Sequence, residues 1–134
     1  MLSYIVHIRF LFESRKILTV HTEACLAIRM ARTLVYPAAI RYRQELANSA
    51  ASCANLGIPA NLDTLKELSD IIAKFEAALH VLENRNATLA WAPGEEGLLD
   101  SAREALTTVI PAMEELRRWA DKLETRVAND LWPL

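Results

Sequence analysis

Glycine is scarce in this chain, with three among 134 residues. Sheet proteins need glycine at their tight turns, so the shortage argues against a strand-rich fold. Cysteine is scarcer still, and two thiols cannot make a disulfide framework. Long apolar runs are missing, and none approaches the ~20 residues of a membrane span. No sign of charge dominates: the formal net charge is -2, and the basic residues are scattered. That distribution excludes a nucleic-acid footprint. The start, "MLSYIVHIRFLF", is apolar but lacks a basic leader and a small-residue cleavage site, which argues against a signal peptide.

What is present is helix. An apolar fraction of 52% supplies a core, and the length fits one domain. Apolar residues recur in steps of three and four, the spacing of one buried helix face. The first such seam runs from about Arg15 to Ala54 through Val20, Ala24, Ala27, Ala31, Leu34, Ala38, Tyr42, Leu46 and Ala50. Gly57 and Pro59 end it, and Asn61 is placed to cap the next helix. The second seam is Leu65, Leu68, Ile72, Phe75, Leu79 and Leu82, ending near Asn86. "NRNATLAWAPG" interrupts it. The third runs from about Glu95 to Ala128 through Leu99, Ala102, Leu106, Val109 or Ile110, Met113, Leu116, Ala120, Leu123 and Val127.

Short connections predict antiparallel neighbours. The expected fold is therefore all-α, an up-down-up bundle of three long helices resembling a four-helix bundle. Residues 1–13 form an apolar N-terminal segment, a helix extension or an interface, and 14–134 the bundle. Cys25 and Cys53 fall on one helix, roughly 40 Å apart at 1.5 Å per residue, too far to bridge. A reducing cytoplasm fits.

Two prolines sit inside the seams, in "LVYPAAIRY" and "TVIPAMEEL". Proline removes a backbone donor and strikes the carbonyl four residues back, at about 3 kcal/mol. Pro37 and Pro111 each lie about seventeen residues, roughly 25 Å, below the top of their helix. They are expected to bend the first and third helices at one height, level with Phe75 to Leu79. The carbonyls they leave free belong to Thr33 and Thr107, and a hydroxyl or water nearby is expected to help satisfy them.

The blocks "HTEACLAIRMARTLVYPAAIRYRQELANS" and "VIPAMEELRRWADKLETRVANDLWP" resemble the C-terminal helical region of type III glutamine synthetases. Glu23, Ala24, Ala31, Pro37, Ala38, Tyr42, Leu46 and Ala47 fit that family's first block. Thr22, Leu26 and Val35 replace its isoleucine, threonine and second isoleucine. Val109, Pro111, Ala112, Met113, Leu116, Arg117, Ala120, Asp121, Leu123, Glu124, Val127, Trp132 and Pro133 fit the second block without a gap. The resemblance spans roughly residues 17 to 133 and is specific at its two ends. It implies the non-catalytic end of an ATP-dependent glutamate–ammonia ligase in nitrogen metabolism. The family's ATP, glutamate and metal sites lie in upstream domains, and no residue here corresponds to them. The chain reads as an isolated or truncated C-terminal domain.

Chemically suggestive residues have plainer explanations. His21 and Cys25 lie one turn apart, yet two ligands make a poor metal site. Glu76 and His80 are four apart, whereas di-iron bundles repeat a Glu-x-x-His spacing on two helices. His80 in "LHVLEN" is faintly similar to a phosphotransfer histidine, but Glu83 and Asn84 replace that motif's lysine and glycine. "GEEG" is no phosphate loop. The runs "EELRR" and "DKLE" read as solvated faces. At Ser101 the sequence shows no His and acid pattern suggesting a nucleophile. No catalytic, cofactor-binding or metal residue is assigned.

The expected function is a helical assembly domain, not an enzyme by itself. Its partners would be its own copies, as a dimer, or the parent enzyme's catalytic domain, with no membrane and no nucleic acid. The competing expectation is a stand-alone regulator, a phosphotransfer or adaptor bundle.

Overall fold

A computed structural model describes residues 2–89 and 95–134, with side chains at Ile8, over 15–89, and over 97–134 apart from Leu98. The protein is all-helical, with no strand among the described residues. Its helices form three rods. The first joins α1 (Leu2–Met30), a π turn (Ala31–Val35) and α2 (Tyr36–Asn55). The second is α3 (Asp63–Thr88). The third joins α4 (Glu95–Glu104), a second π turn (Ala105–Val109) and α5 (Ile110–Glu124). Residues 2–13 continue helically into the rest of α1. Apart from Ile8, the side chains of the apolar stretch 4–12 lie outside the described residues, as do Ala90–Gly94 of the expected break and of "GEEG".

The rod ends follow the sequence signals. Gly57 adopts φ 75°, which residues with a Cβ resist. Its amide bonds the carbonyl of Ala54, and the amide of Ile58 reaches back to Cys53 at 2.9 Å. Two orphan carbonyls at the end of α2 are thereby satisfied. The Asp63 amide donates to Asn61 Oδ1 at 2.9 Å just ahead of α3, but the N-cap itself is Leu62, one residue later than expected. The third rod stops at Glu124 rather than near Ala128. Turns follow, and Leu131 and Trp132 fold back against the core.

One core fills the centre. Phe75, Leu82, Val109 and Leu123 are fully buried, with Ile72 and Leu68 nearly so. Each such side chain contributes roughly 1.5–3 kcal/mol by leaving water. Ala24, Ala31, Ala39, Ala105 and Ala112 are also buried, and these small residues let the rods approach closely. Farther along the first rod, Tyr42, Leu46 and Ala50 are only half-buried.

Two seam expectations fail, and for one reason. Leu34 is 38% exposed while Val35 is buried, and Leu106 is 44% exposed while Ala105 is buried. Both misplaced leucines lie inside the π turns. A π turn bonds i to i+5 and holds an extra residue, so a 3.6-residue period slips there. The amide of Tyr36 bonds Ala31, and that of Ile110 bonds Ala105. Pro37 and Pro111 follow immediately, at the second residue of α2 and of α5. The wider turn accommodates a residue that has no amide to bond and a ring that needs space.

The two π turns share a pattern. Ala31, Thr33, Val35, Pro37 and Ala38 match Ala105, Thr107, Val109, Pro111 and Ala112 at the same spacing. In each set the first alanine, the valine and the last alanine are buried. The threonine hydroxyls point back along the chain. Thr33 Oγ1 donates to the Arg29 carbonyl at 2.7 Å and Thr107 Oγ1 to that of Arg103 at 2.8 Å. They therefore serve carbonyls one turn below those expected from proline chemistry.

Both π turns attach to the same part of α3. Arg32 Nε donates to Glu83 Oε2 at 2.9 Å, and its Nη2 bonds Oε1 of the same carboxylate. Two residues farther along α3, Arg85 Nη1 donates to the Thr108 carbonyl at 3.0 Å. Residue numbers rise along the first rod as they fall along α3: His21 meets Asn86, and Tyr36 meets Glu76. The same holds between α3 and the third rod, where Arg126 meets Glu67.

Candidate functional site

The first rod packs against α4 but draws away from α5, leaving an apolar groove of about 580 Å³. Ala27, Met30 and Val35 line one wall, Ile110 and Met113 the other, and Phe75 the floor. Charges stand only at its rim, as Glu23, Glu114 and Arg117. Beside it runs a ridge. Leu18, Leu26 and Leu34 are 56%, 57% and 38% exposed. Leu18, Thr22, Leu26 and Met30 form one series spaced by four, the steep row of a helix surface, and Leu34 follows within the π turn. Met30 belongs to both ridge and groove. Apolar surface of this extent left open to water is unusual.

A second constellation lies where α1 meets α3. His21 Nδ1 is 3.0 Å from Asn86 Oδ1, and His21 Nε2 is 3.6 Å from Cys25 Sγ. Asn86 Nδ2 donates to the same sulfur at 3.5 Å. The helix places His21 and Cys25 one turn apart on one face. Asn86 is buried and the Cys25 thiol is exposed. The sequence spacing brought His21 and Cys25 together but gave no sign of Asn86, which comes from the far end of α3. Among the described residues no group of three or more His, Cys, Asp or Glu side chains is arranged to hold a metal ion.

The other sequence candidates are engaged in surface pairs. Glu76 accepts from the Tyr36 hydroxyl, and this bond, with burial and the carboxylate charge, holds the phenol above its ordinary pKa. His80 is exposed, with Nδ1 3.7 Å from Glu83 Oε1. Glu83 also binds Arg32, whose guanidinium it holds above its ordinary pKa chiefly through that hydrogen bond. An imidazole beside this carboxylate is poorly placed to receive phosphate. Ser101 is buried, with Oγ donating to the Gly97 carbonyl at 3.0 Å.

Of the charged runs, "EELRR" pairs within its own helix, and a cross-rod pair forms just beyond "DKLE". Glu115 meets Arg118 at 3.6 Å, and Arg126 reaches Glu67 at 2.6 Å. Around Trp119 stand Lys74, Arg118 and Lys122, each 5.1 to 5.3 Å from the ring centre. No helix among the described residues is long and apolar enough to cross a membrane. No protein-family model, curated protein or solved structure matches the chain.

Proposed function

We propose that this chain is a non-catalytic helical assembly domain that pairs with a second copy of itself. The observation that carries the reading is the exposed apolar ridge lying beside the apolar groove. A two-fold dimer needs a self-complementary surface, in which a patch on one copy meets its counterpart on the other. A ridge next to a groove meets that need, because each copy offers the ridge that the other's groove accepts. Glu23, Glu114 and Arg117 at the rim carry both signs of charge, which suits an isologous contact.

The same reading makes the protein an up-down-up bundle whose first and third rods bend at Pro37 and Pro111. The attachment of both π turns to Glu83 and Arg85, two residues apart on α3, supports bends at matched height. Alanine after each proline gives the bent rods room to stay packed. The resemblance to the end of type III glutamine synthetases supports a cytoplasmic role in nitrogen metabolism, with the parent enzyme's catalytic domain as the other partner. On this reading the chain alone neither hydrolyses ATP nor forms glutamine.

Light scattering on the full chain at tens of micromolar, a range in which a functional dimer of modest affinity assembles, is the test. A dimer is expected, and Met113→Glu is expected to make it monomeric with its helicity unchanged. A wild-type monomer at that concentration overturns the proposal.

A further inference from the structure

The Cys25 cluster lies outside the assembly surface argument and stands independently of it. We infer that Cys25 is an activated thiol which exchanges with small external disulfides, with His21 as its base and Asn86 as the group that positions the imidazole.

The hydrogen bonds assign the roles. Asn86 Nδ2 donates to Cys25 Sγ, so its Oδ1 is the atom facing His21. The His21 proton therefore sits on Nδ1, where Oδ1 accepts it. That leaves the Nε2 lone pair directed at the Cys25 thiol. A nucleophile, a base within reach, and a third group fixing the base make up the arrangement that activates a thiol. After proton transfer the sulfur keeps two donors, His21 Nε2–H and Asn86 Nδ2–H. Asn86 is buried, while Cys25 is an exposed residue.

The surroundings select the reaction. Acyl transfer needs donors for a developing oxyanion. Cys25 lies deep within α1 and Asn86 within α3, where the neighbouring backbone amides are committed to helix bonds. Thiol–disulfide exchange has no such need, because its charge stays on sulfur. In the step, His21 Nε2 takes the Cys25 proton and Sγ attacks one sulfur of the external disulfide. The old S–S bond breaks, its electron pair leaves on the other sulfur, and that thiolate takes the proton from His21. One thiol and one disulfide give a mixed disulfide on Cys25 and one free small thiol. Cys53 lies twenty-eight residues along the same rod, roughly 40 Å away, and cannot resolve the adduct within the chain. The modification therefore persists until another thiol removes it.

The full-length protein with dithiodipyridine as probe tests this, read by release of the coloured thiopyridone and by mass mapping of the labelled cysteine. At about pH 7, Cys25 is expected to be labelled before Cys53, roughly tenfold faster, in the unmodified chain. His21→Gln and Asn86→Leu, made in a Cys53→Ser background, are each expected to slow labelling about tenfold. At about pH 10, where thiols ionise without help, the variants and their parent are expected to converge. Equal labelling of the two cysteines in the unmodified chain overturns the inference and needs no variant to fold. So does a His21→Gln rate equal to the parent's at neutral pH. Variants that stay slow at high pH would mean lost access rather than lost activation, and would equally overturn it.

Discussion

Arg85 on α3 donates through Nη1 to the backbone carbonyl of Thr108, inside the π turn of the third rod, at 3.0 Å. A π turn disturbs the regular bonding of a helix and leaves carbonyls needing partners. The hydroxyl of Thr108 is already committed, donating to the Glu104 carbonyl at 2.6 Å. The arginine therefore reaches across rods and ties the π turn of the third rod to α3. Two residues earlier, Glu83 holds Arg32 of the first π turn. One turn of α3 thus fastens both irregular segments.

Arg85→Ala is expected to lower stability by about 0.5–1 kcal/mol. Charge-assisted bonds to buried carbonyls are worth more, but this contact is exposed and solvent discounts it. The carbonyl left behind can find water. Urea denaturation followed by circular dichroism measures the change, and no change would mean that the π turn is held by packing alone.

The prolines lead to a less obvious expectation. In a regular helix Pro111→Ala would gain about 3 kcal/mol. Here the π turn has already made room for the ring, so little strain is left to relieve. Alanine also gives the unfolded chain freedom that proline denies it, worth about 0.4–1 kcal/mol. The variant is expected to be slightly less stable than the parent. A thermal midpoint raised by several degrees would show instead that the proline was straining the third rod.

Much of the architecture was legible because burial follows period. The seam from Leu68 through Phe75 to Leu82 lies on one uninterrupted α-helix, and its residues are buried as expected. Gly57 and Asn61 act through their own backbone or a near neighbour's, so local sequence announces them. Leu34 and Leu106 were misplaced because a period of 3.6 cannot register an extra residue within a turn. The doubled Ala-x-Thr-x-Val-x-Pro-Ala pattern was the available signal. Asn86 was invisible for another reason. Its role depends on a contact across 65 positions, which no spacing within α3 encodes.

Gly57 offers a test of backbone conformation separated from packing. A Cβ built there meets nothing within 4 Å, so Gly57→Ala has no steric clash to relieve. Its cost comes from holding a left-handed φ, about 1 kcal/mol. Gly57→Asn is expected to cost less, since asparagine tolerates this region. Equal losses for the two variants in chemical denaturation would place the cost in glycine's removal itself rather than in the conformation.

Tyr36 gives an alkaline signature with a definite sign. Its hydroxyl donates to Glu76, so the protonated phenol is the favoured form and its folded pKa lies above the unfolded value. For a raised pKa the stabilisation is fully present below the unfolded value near pH 10, and is lost as pH rises through the folded one. Stability should therefore fall above about pH 10 in the parent. Tyr36→Phe should be less stable at neutral pH and should lack that part of the alkaline loss. In ultraviolet titration of the phenols, the variant should miss a component that ionises above the ordinary value. If the component it misses ionises at an ordinary value instead, the Tyr36–Glu76 bond does not stabilise the phenol, and the pairing of α2 with α3 at this level rests on apolar contact alone.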